Sequence, residues 1–370
     1  MQMLRCVIMR GGTSKGIFFH ENELPKDIEE RKKAILRVLG SPDKRQIDGI
    51  GGADLLTSKV VIVGPPSRKD ADVDYIFGQV GIEKPTIDFN TLCGNLSSAV
   101  GPFAIDEGFV KPNEPSTQVK IFCPMVNRYL AAEVEVIDGK AQYKGNYKID
   151  GVPGTGSKIK LDFSGTAGLL TGNILPTGNP KDVFHIDGYG KIEISVVDAG
   201  VVAAFCRAED LRLNGSESPL DLDQNSYFMK TLEEIRITVA QKCHLAKTSP
   251  LIPMVAIVQK PVPWKSYITG ETFKANDADI LSKLYGAGMM HKAYPGTGCV
   301  ATGAASKIKG TVVNELLSKE QEQRENFVIG HFSGLMPMEV NGREIDGEFI
   351  LEKAIYYRTA RRIMEGYVHI

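Results

Sequence analysis

The sequence predicts an α+β fold of two similar halves, each with a curved sheet around a central helix. Three observations lead to this prediction. Short β-branched runs bounded by glycine and proline dominate the 370 residues. Three short segments recur in the same order later in the chain. Each half also contains one helical segment made largely of small residues, which leaves room only for close packing against a surrounding sheet.

The strands are predicted from runs of about four to eight residues that alternate and are flanked by turn residues. Clear examples are 59–63, 132–137 and 191–197. Two helices are predicted between such runs. Residues 25–39 carry apolar side chains at helical spacing, and 277–285 is interpreted as a second helix.

The chain repeats itself at nearly constant spacing. Residues 57–63 are echoed by 252–258, an offset of 195 residues. The segment from Cys93 is echoed by the segment from Pro295 at an offset of 202, and Met9 to Gly12 by Val197 to Gly200 at an offset of 188. Three echoes in one order predict a duplicated unit. Its junction is expected in the stretch 178–190, which is rich in glycine and proline.

Each half places a glycine-containing turn directly before its helix of small residues. Backbone N–H groups at the start of a helix have no partner within the helix and attract anions. The turns at 94–95 and 296–298 are therefore predicted anion sites. If they face each other across a cleft between the halves, they would hold a substrate with a carboxylate at each end.

The composition excludes several functional classes. The formal net charge is -1, and no basic stripe is present, which argues against nucleic-acid binding. No apolar run approaches the roughly 18 residues of a membrane helix, and the first residues do not resemble a secretory signal. The six cysteines are widely spaced without a CxxC motif, so we expect buried free thiols in a reducing compartment. A cytoplasmic protein is predicted.

Cys93 and Lys59 are the candidates for proton transfer. Cys93 lies at a predicted helix start, where a thiolate is stabilised and can serve as an acid or a base. The alternative is a buried structural cysteine. Lys59 opens an apolar strand, where lost solvation lowers the pKa of a lysine and makes it usable as a base. The alternative, an edge lysine that protects a strand from aggregation, is favoured by the residues alone.

Three further segments offer groups to a ligand. Residues 10–16 could clamp a carboxylate or form a polar hairpin turn, and they lack the spacing of a phosphate loop. Residues 296–301 match the dinucleotide pattern GxGxxA only formally, because a poor strand precedes them and the alternation of a doubly wound fold is missing. Residues 331–334 form either a capped turn or a ligand contact.

Several blocks in order resemble the signature segments of the 2-methylaconitate cis–trans isomerase (PrpF) family, and the chain is also similar to the 3-methylitaconate delta-isomerases. The blocks are 9–16, 49–63, 90–101, 295–305, 331–334 and the tail 358–364. The resemblance implies the diaminopimelate-epimerase-like fold. This is an α+β fold of two pseudo-symmetric domains, each a curved, mostly antiparallel sheet around a central helix. The domains are expected at 1–182, joined by the tail 355–370, and at 183–354.

The resemblance also implies roles for individual residues. In the wider superfamily each half supplies a cysteine from the loop before its central helix. Here the first is Cys93, but the second position is Pro295, and Cys299 is not an obvious replacement. In the isomerases of unsaturated acids a lysine and a cysteine are the implicated catalytic pair, and they match Lys59 and Cys93. The residues expected to bind the substrate are Arg10, Gly12, Thr13, Ser14, Asn90, Gly94, Asn95, Gly296, Thr297, Gly298 and Ser333.

The predicted activity is cofactor-independent isomerisation of a small unsaturated di- or tricarboxylate of the aconitate, 2-methylaconitate, methylitaconate or oxalomesaconate type. Lys59 would remove an allylic proton, while helix-start N–H groups and Arg10 would stabilise the charge that develops on a carboxylate. Return of the proton to its origin after bond rotation gives cis–trans isomerisation. Delivery by Cys93 to the other end of the allyl unit moves the double bond.

Two other functions stay open. An amino-acid racemase or epimerase of the same fold would need Cys299 in the cleft. A non-catalytic carboxylate-binding protein would use neither Lys59 nor Cys93 for chemistry. The predicted partner is a small unsaturated carboxylate, with no metal, nucleotide or organic cofactor, no nucleic acid and no membrane. The particular acid, the type of isomerisation and the oligomeric state, a homo-oligomer included, are left open.

Overall fold

The computed structural model describes residues 3–215, 217–245 and 252–370. Contacts divide the chain into two compact units, Met1–Leu161 with Tyr357–Ile370, and Asp162–Tyr356. The predicted boundary between 182 and 183 concerns the duplicated sequence and stays a prediction. Within the described ranges, no helix combines the length and the apolar character that crossing a membrane requires.

The first unit begins with a hairpin and contains two helices. Its helices are α1 (Ile28–Leu39) and α2 (Gly94–Asp106). Its strands up to residue 162 are β1 (Met3–Gly11), β2 (Ser14–His20), β3 (Lys59–Gly64), β4 (Val73–Val80), β5 (Ile87–Asp88), β6 (Ser116–Cys123), β7 (Arg128–Ile137), β8 (Lys140–Ala141) and β9 (Ile159–Asp162).

The second unit has the same kinds of element. Its helices are α3 (Pro219–Gln224), α4 (Ser226–Lys242), α5 (Gly296–Lys307) and α6 (Lys319–Gln323). Its strands are β10 (Asp182–Ile186), β11 (Gly190–Ala199), β12 (Val201–Arg207), β13 (Met254–Gln259), β14 (Trp264–Lys265), β15 (Thr272–Phe273), β16 (Ile280–Gly286), β17 (Met289–Met290), β18 (Asn326–His331), β19 (Gly334–Ile345) and β20 (Glu348–Arg358), and the last two residues of β20 belong to the first unit. The chain ends with β21 (Ala360–His369), which pairs with β1 in the first unit.

The sheet of the first unit surrounds α2. Strands β1 and β2 form an antiparallel hairpin, β3 is parallel to β2, and β4 is antiparallel to β3. Strand β6 is parallel to β4 and antiparallel to β7. Helix α2 contacts β1, β2, β3, β6, β7, β8 and β21, and its residues from Gly94 to Ile105 are all buried. Only small residues such as Ser97, Ser98 and Ala99 allow a helix to lie so close to strands on several sides.

The second unit repeats this topology strand for strand. Strands β11 and β12 are antiparallel, β13 is parallel to β12, and β16 is antiparallel to β13. Strand β18 is parallel to β16 and antiparallel to β19. Helix α5 is buried against β11, β12 and β19, as α2 is buried in its own unit. The prediction of an α+β fold, with a mostly antiparallel sheet around one central helix in each half, is therefore confirmed.

The predicted helix at 25–39 is confirmed as α1, but the predicted helix at 277–285 is wrong. A short 3-10 turn at Ala275–Asp277 leads into β16, which pairs with β13 and β18. All residues of β16 are buried, so pairing on both sides overrides the weak helical pattern of the sequence. Helix α4 was not predicted. The six cysteines are free and buried, as expected.

Candidate active site

The alternation of strand β3 divides its side chains between two faces. Val60 and Ile62 pack in an apolar cluster with Ile35 and other residues of α1. Because successive side chains of a strand point to opposite faces, Lys59 lies with Val61 on the other face, which belongs to α2. Lys59 is buried there, with 6% of its surface exposed. The sequence prediction that Lys59 shares a face with Val61 agrees with this register.

The amine of Lys59 has polar and aromatic neighbours from β4. Its Nζ atom donates a hydrogen bond to Oε1 of Gln79 at 2.5 Å and lies 5.0 Å from the centre of the Phe77 ring. Burial lowers the pKa of Lys59, while the nearby Cys93 and Asp54 act in the opposite direction with smaller effect. The neutral amine, which is the form that can accept a proton, therefore forms at a lower pH here than in an exposed lysine.

Cys93 is the N-cap residue of α2. Its backbone is extended, and its Sγ atom accepts a hydrogen bond from the N–H of Leu96 at 3.5 Å. The carbonyl oxygen of Cys93 accepts from the hydroxyl of Ser97 at 2.9 Å and from that of Tyr75 at 3.5 Å. These contacts fix the cysteine at the positive end of the helix dipole. Cys93 is also close enough to Lys59 to affect its pKa electrostatically.

The turn between β1 and β2 packs on the start of α2. Nδ2 of Asn95 donates to the hydroxyl of Thr13 at 2.9 Å, and Nε of Arg358 donates to Oδ1 of Asn95 at 2.9 Å. Gly12 has a φ of 52°, and a Cβ atom there would lie 2.3 Å from Oδ1 of Asn95. Glycine is therefore required at this point of the turn. The contacts bring together Gly12, Thr13 and Asn95, three of the predicted binding residues.

Arg10 braces the same turn. Its Nη1 atom donates to the carbonyl oxygens of Gly12 at 3.0 Å and Thr359 at 2.7 Å. Burial, with a smaller effect of Arg361, lowers the pKa of Arg10 to about 10. The Nη1 atom of Arg10 is thus engaged with backbone carbonyl oxygens. The contact of Arg10 with a substrate carboxylate stays a prediction.

Two buried hydroxyl groups of the first unit are candidates for ligand contacts. Ser14 and Thr91 are 2% and 9% exposed, and within the described ranges neither hydroxyl has a hydrogen-bond partner. Buried hydroxyls are normally paired, so a ligand is one way to satisfy them. Ser14 was predicted as a binding residue and Thr91 was not. The side chain of Asn90 is exposed, and the backbone N–H of Asn90 donates to Asp88.

The second unit offers a helix start without a side-chain cap. Helix α5 begins at Gly296 after Pro295, followed by the buried Thr297 and by Gly298. The hydroxyl of Ser333 donates to the carbonyl oxygen of Lys292, so it ties the turn at 331–334 to the segment before α5. The backbone N–H groups of this helix start form the anion site that the sequence predicts at 296–298.

The predicted proton-handling pair of the first unit is not repeated in the second. By topology, Met254 takes the place of Lys59, and Pro295 takes the place of Cys93. Cys299 lies inside α5, is fully buried, and has its Sγ atom 3.4 Å from Sδ of Met338. The two units therefore share a framework but differ in the side chains at these two positions.

Besides Thr91, sequence reasoning missed Gln79, Tyr75 and Arg358 of this candidate site. Gln79 and Tyr75 lie on β4, opposite Lys59 and Val63 of β3, and only the strand register brings them there. Arg358 comes from the far end of the chain. Across the residues that the structure describes, no group of three or more His, Cys, Asp or Glu side chains is arranged to hold a metal ion.

Known proteins match this chain along nearly its whole length. The family model described as PrpF protein matches residues 1–370. The chain is 48% identical to the 3-methylitaconate isomerase of Eubacterium barkeri, covering 99% of this chain and 96% of that protein. It is 37% identical to the 2-methyl-aconitate isomerase of Shewanella oneidensis, covering 98% and 95%. It is 34% identical to the 4-oxalomesaconate tautomerase of Pseudomonas putida, covering 99% and 95%.

Solved structures agree with this match. The crystal structure of methylitaconate-delta-isomerase superimposes with a TM-score of 0.84 at 47% identity, covering 99% of this chain and 95% of that one. A hydroxyproline epimerase from Agrobacterium vitis superimposes with a TM-score of 0.62 at 12% identity, covering 99% and 92%, which shows a shared fold alone. The full-length family match, together with relatives above 30% identity along nearly the whole chain, shows that this chain belongs to the PrpF family.

Proposed function

We propose that this protein isomerises a small unsaturated di- or tricarboxylate, with Lys59 and Cys93 as the proton-handling pair. The observation that carries the proposal is the buried Lys59 amine, whose pKa is lowered by burial, close to a cysteine at the start of α2. The relatives named as isomerases of 3-methylitaconate and 2-methyl-aconitate, and as a tautomerase of 4-oxalomesaconate, support the reaction class. The six free thiols fit a reducing compartment such as the cytoplasm.

The first step is removal of an allylic proton. Neutral Lys59 accepts the proton from the carbon next to the double bond, and the C–H electron pair spreads over the allyl unit and the adjoining carboxylate. That charge needs hydrogen-bond donors fixed in advance. The N–H groups at the start of α2 and the unpaired hydroxyls of Ser14 and Thr91 are suitable donors.

The second step returns a proton and sets the product. Delivery from the Cys93 thiol to the far carbon of the allyl unit moves the double bond and leaves a thiolate, which the start of α2 stabilises. The proton held by Lys59 then returns to the thiolate through solvent. Return from Lys59 to the original carbon after bond rotation gives the cis–trans isomer instead. Double-bond migration is the first outcome to test, because the relative at 48% identity is named 3-methylitaconate isomerase.

The second unit differs from the first at the positions of the proposed pair. It offers the helix start at Gly296 to Gly298 and, at the positions that match Lys59 and Cys93, no acid or base. A racemase that uses one cysteine from each half is therefore disfavoured, since Cys299 is buried inside α5.

Proton NMR in D2O tests the proposal directly. Purified protein is incubated in turn with methylitaconate, methylaconitate, and cis- and trans-aconitate. With methylitaconate, migration would replace the two vinyl proton signals by a new methyl signal that carries one solvent deuterium. Cis–trans isomerisation would leave the numbers of vinyl and allylic carbons unchanged. Solvent deuterium would then replace hydrogen only at the allylic carbon.

Lys59→Ala is the informative variant in the same assay. Loss of both conversion and deuterium exchange in this variant would support Lys59 as the base. If wild-type protein exchanges deuterium into none of these acids, the unsaturated-acid proposal is wrong, and amino-acid epimers and simple carboxylate binding become the next tests.

A further inference from the structure

Gln79 and Lys59 face each other across two antiparallel strands. They are direct partners in the register of β3 and β4, so their side chains point to the same face of the sheet. Nζ of Lys59 donates to Oε1 of Gln79 at 2.5 Å, and both side chains are buried. The hydrogen bond joins residues 20 positions apart in the chain and lies beside Cys93.

The orientation of the Gln79 amide is fixed by its other end. Nε2 of Gln79 donates to the carbonyl oxygens of Ser58 at 3.1 Å and Leu55 at 3.3 Å. An amide nitrogen can only donate, and a carbonyl oxygen can only accept. The amide oxygen of Gln79 must therefore point at Lys59, and this acceptor is in place before any substrate binds.

We propose that Gln79 is a positioning residue for Lys59, which holds one amine hydrogen and directs the lone pair away from β4 without adding a charge. The inference rests on the proposed function, in which Lys59 is the base. A neutral amine has two hydrogens and one lone pair, so anchoring one hydrogen restricts where the lone pair points. Such orientation contributes to the rate, because proton abstraction needs a near-linear approach.

The absence of charge on the acceptor is as important as the hydrogen bond. The groups that act electrostatically on Lys59 are Cys93 at the start of α2 and Asp54 in the loop before β3. Tyr75, on the same face of β4, contacts the carbonyl oxygen of Cys93. A carboxylate at position 79 would favour the protonated amine by its charge, whereas an amide accepts the hydrogen bond without adding a negative charge beside the amine.

The duplicated framework provides an independent comparison. In the second unit Met254 takes the place of Lys59, and the register of β13 and β16 puts Gly286 opposite it. A Cβ atom on Gly286 would approach the Met254 side chain at 3.6 Å. The amide acceptor is thus present where the strand carries a lysine and missing where it carries a methionine.

The first experiment measures the pKa of Lys59 without any substrate. Protein labelled with carbon-13 at the lysine Cε atoms is titrated by NMR, and the Lys59 signal is assigned by its loss in Lys59→Arg. Gln79→Glu is expected to raise the midpoint of the Lys59 titration by about one pH unit or more. The matched control is Gln241→Glu on the exposed surface of α4, which should leave the midpoint unchanged. An unshifted midpoint in Gln79→Glu would overturn the proposal.

The second experiment removes the acceptor without adding a charge. Gln79→Met is expected to lower kcat by about tenfold to a hundredfold with KM within about twofold of the wild type, because the lone pair loses its orientation. It should not raise the Lys59 midpoint. The melting temperature of Gln79→Met shows whether the variant is folded under the assay conditions. If the folded variant has the wild-type kcat, Gln79 is only structural and the proposal fails.

The two experiments separate this inference from the proposed function. The titration reports on Gln79 and Lys59 even if none of the unsaturated acids is converted. If wild-type protein converts an acid but the Lys59 midpoint does not shift in Gln79→Glu, the proposed isomerase function stands and the proposed role of Gln79 is wrong.

Discussion

At the scale of single residues, the proposed mechanism requires a lysine that can lose its proton. A buried ammonium ion without a full counter-charge is costly, so burial lowers the pKa of Lys59. The hydrogen bond to Gln79 and the contact with Phe77 hold the amine in place without providing a formal charge. A variant whose side chain at position 59 stays protonated should therefore be inactive even when that side chain fits the space.

Lys59→Arg tests this requirement. Arginine cannot be deprotonated at accessible pH, so we expect kcat to fall by about 10²–10⁴-fold, the contribution typical of a positioned base. The measurement is the rate of conversion of the best acid from the NMR screen. Lys283→Arg is the matched control, because Lys283 is also buried but is paired with Glu217 in the second unit. Its activity should stay within about twofold of the wild type, and equal losses in both variants would contradict a specific role of Lys59.

The pH dependence of the reaction should report the same group. Because the pKa of Lys59 is lowered from the usual 10.5, kcat/KM should rise with pH and level off below the pH at which an ordinary lysine titrates. The profile is measured with the best acid, in buffers of constant ionic strength. A rise that continues beyond pH 10.5 would show that an unperturbed lysine is titrating.

Cys93 should be distinguished from the other five thiols by its reactivity. Burial raises the pKa of Cys206 to about 12 and also raises the pKa of Cys123, so both should react slowly. We expect iodoacetamide to modify Cys93 first and a saturated dicarboxylate to protect it, as measured by peptide mass spectrometry. Cys93→Ser is the control for peptide assignment. A Cys93 that reacts as slowly as Cys206, with or without dicarboxylate, would indicate a structural thiol.

At the scale of elements, the site depends on how the β1–β2 turn meets the start of α2. The turn approaches the helix so closely that Gly12 has no room for a side chain next to Asn95. Asn95 in turn connects Thr13 to Arg358, which precedes the last strand of the first unit. The β1–β2 turn and Arg358 therefore both hold the helix start, which keeps its N–H groups in a fixed orientation.

Gly12→Ala should disturb this junction. The substitution combines an unfavourable positive φ, costing about 1–2 kcal/mol, with a clash against Asn95, so we expect a lower melting temperature and a fall of about tenfold in kcat/KM. Gly139→Ala in the β7–β8 turn is the matched control, since its φ is 70° and nothing lies within 4 Å of the added Cβ. It should lower stability by a similar conformational cost and leave kcat/KM unchanged. Equal kinetic effects in both variants would argue against the junction.

At the scale of the whole molecule, one buried carboxylate joins both ends of the chain within the first unit. Glu107, at the end of α2, accepts hydrogen bonds from Arg5 of β1 at 2.6 Å, His20 of β2 at 2.7 Å and Arg362 of β21 at 2.6 Å. Burial alone would raise the pKa of Glu107, but the hydrogen bonds from Arg5, Arg362 and His20 outweigh it and lower the pKa to about 2. The folded state therefore favours the ionised form.

This pairing should make stability depend on acid. A carboxylate with a depressed pKa stabilises the folded state above its unfolded pKa of 4.5, and the contribution is lost as the pH falls towards 2. We expect Glu107→Gln to lower the free energy of unfolding at pH 7 by about 1–3 kcal/mol, and the difference from the wild type to shrink below pH 4.5. Urea unfolding between pH 3 and pH 7 measures it.

The control for acid stability is Glu83→Gln in the same unit. Glu83 is exposed and lies 3.7 Å from Lys44, and such surface pairs contribute about 0–1 kcal/mol. A difference between wild type and Glu107→Gln that stays constant from pH 7 down to pH 3 would contradict the assigned pKa of Glu107.

Local patterns in the sequence were sufficient for the repeated framework. The offsets of 195 and 202 residues match the starts of β3 and β13 and those of α2 and α5. Helix α1 follows from apolar spacing, with Asp27 accepting from the N–H groups of Glu29 and Glu30 at its start and Gly40 in the left-handed region at its end. Each of these features depends on residues a few positions apart, where spacing and side-chain size act directly.

The sequence by itself determined that a chain of two similar halves carries a lysine at the start of one strand and a cysteine at the start of one buried helix. Only the tertiary structure decided that β16 is a strand, that Gln79 is the acceptor for Lys59, and that Arg358 supports Asn95 from 263 residues away. The physical reason is the distance along the chain. Strand register and side-chain contacts between distant segments are set by packing of the whole unit, and no local spacing of residues records them.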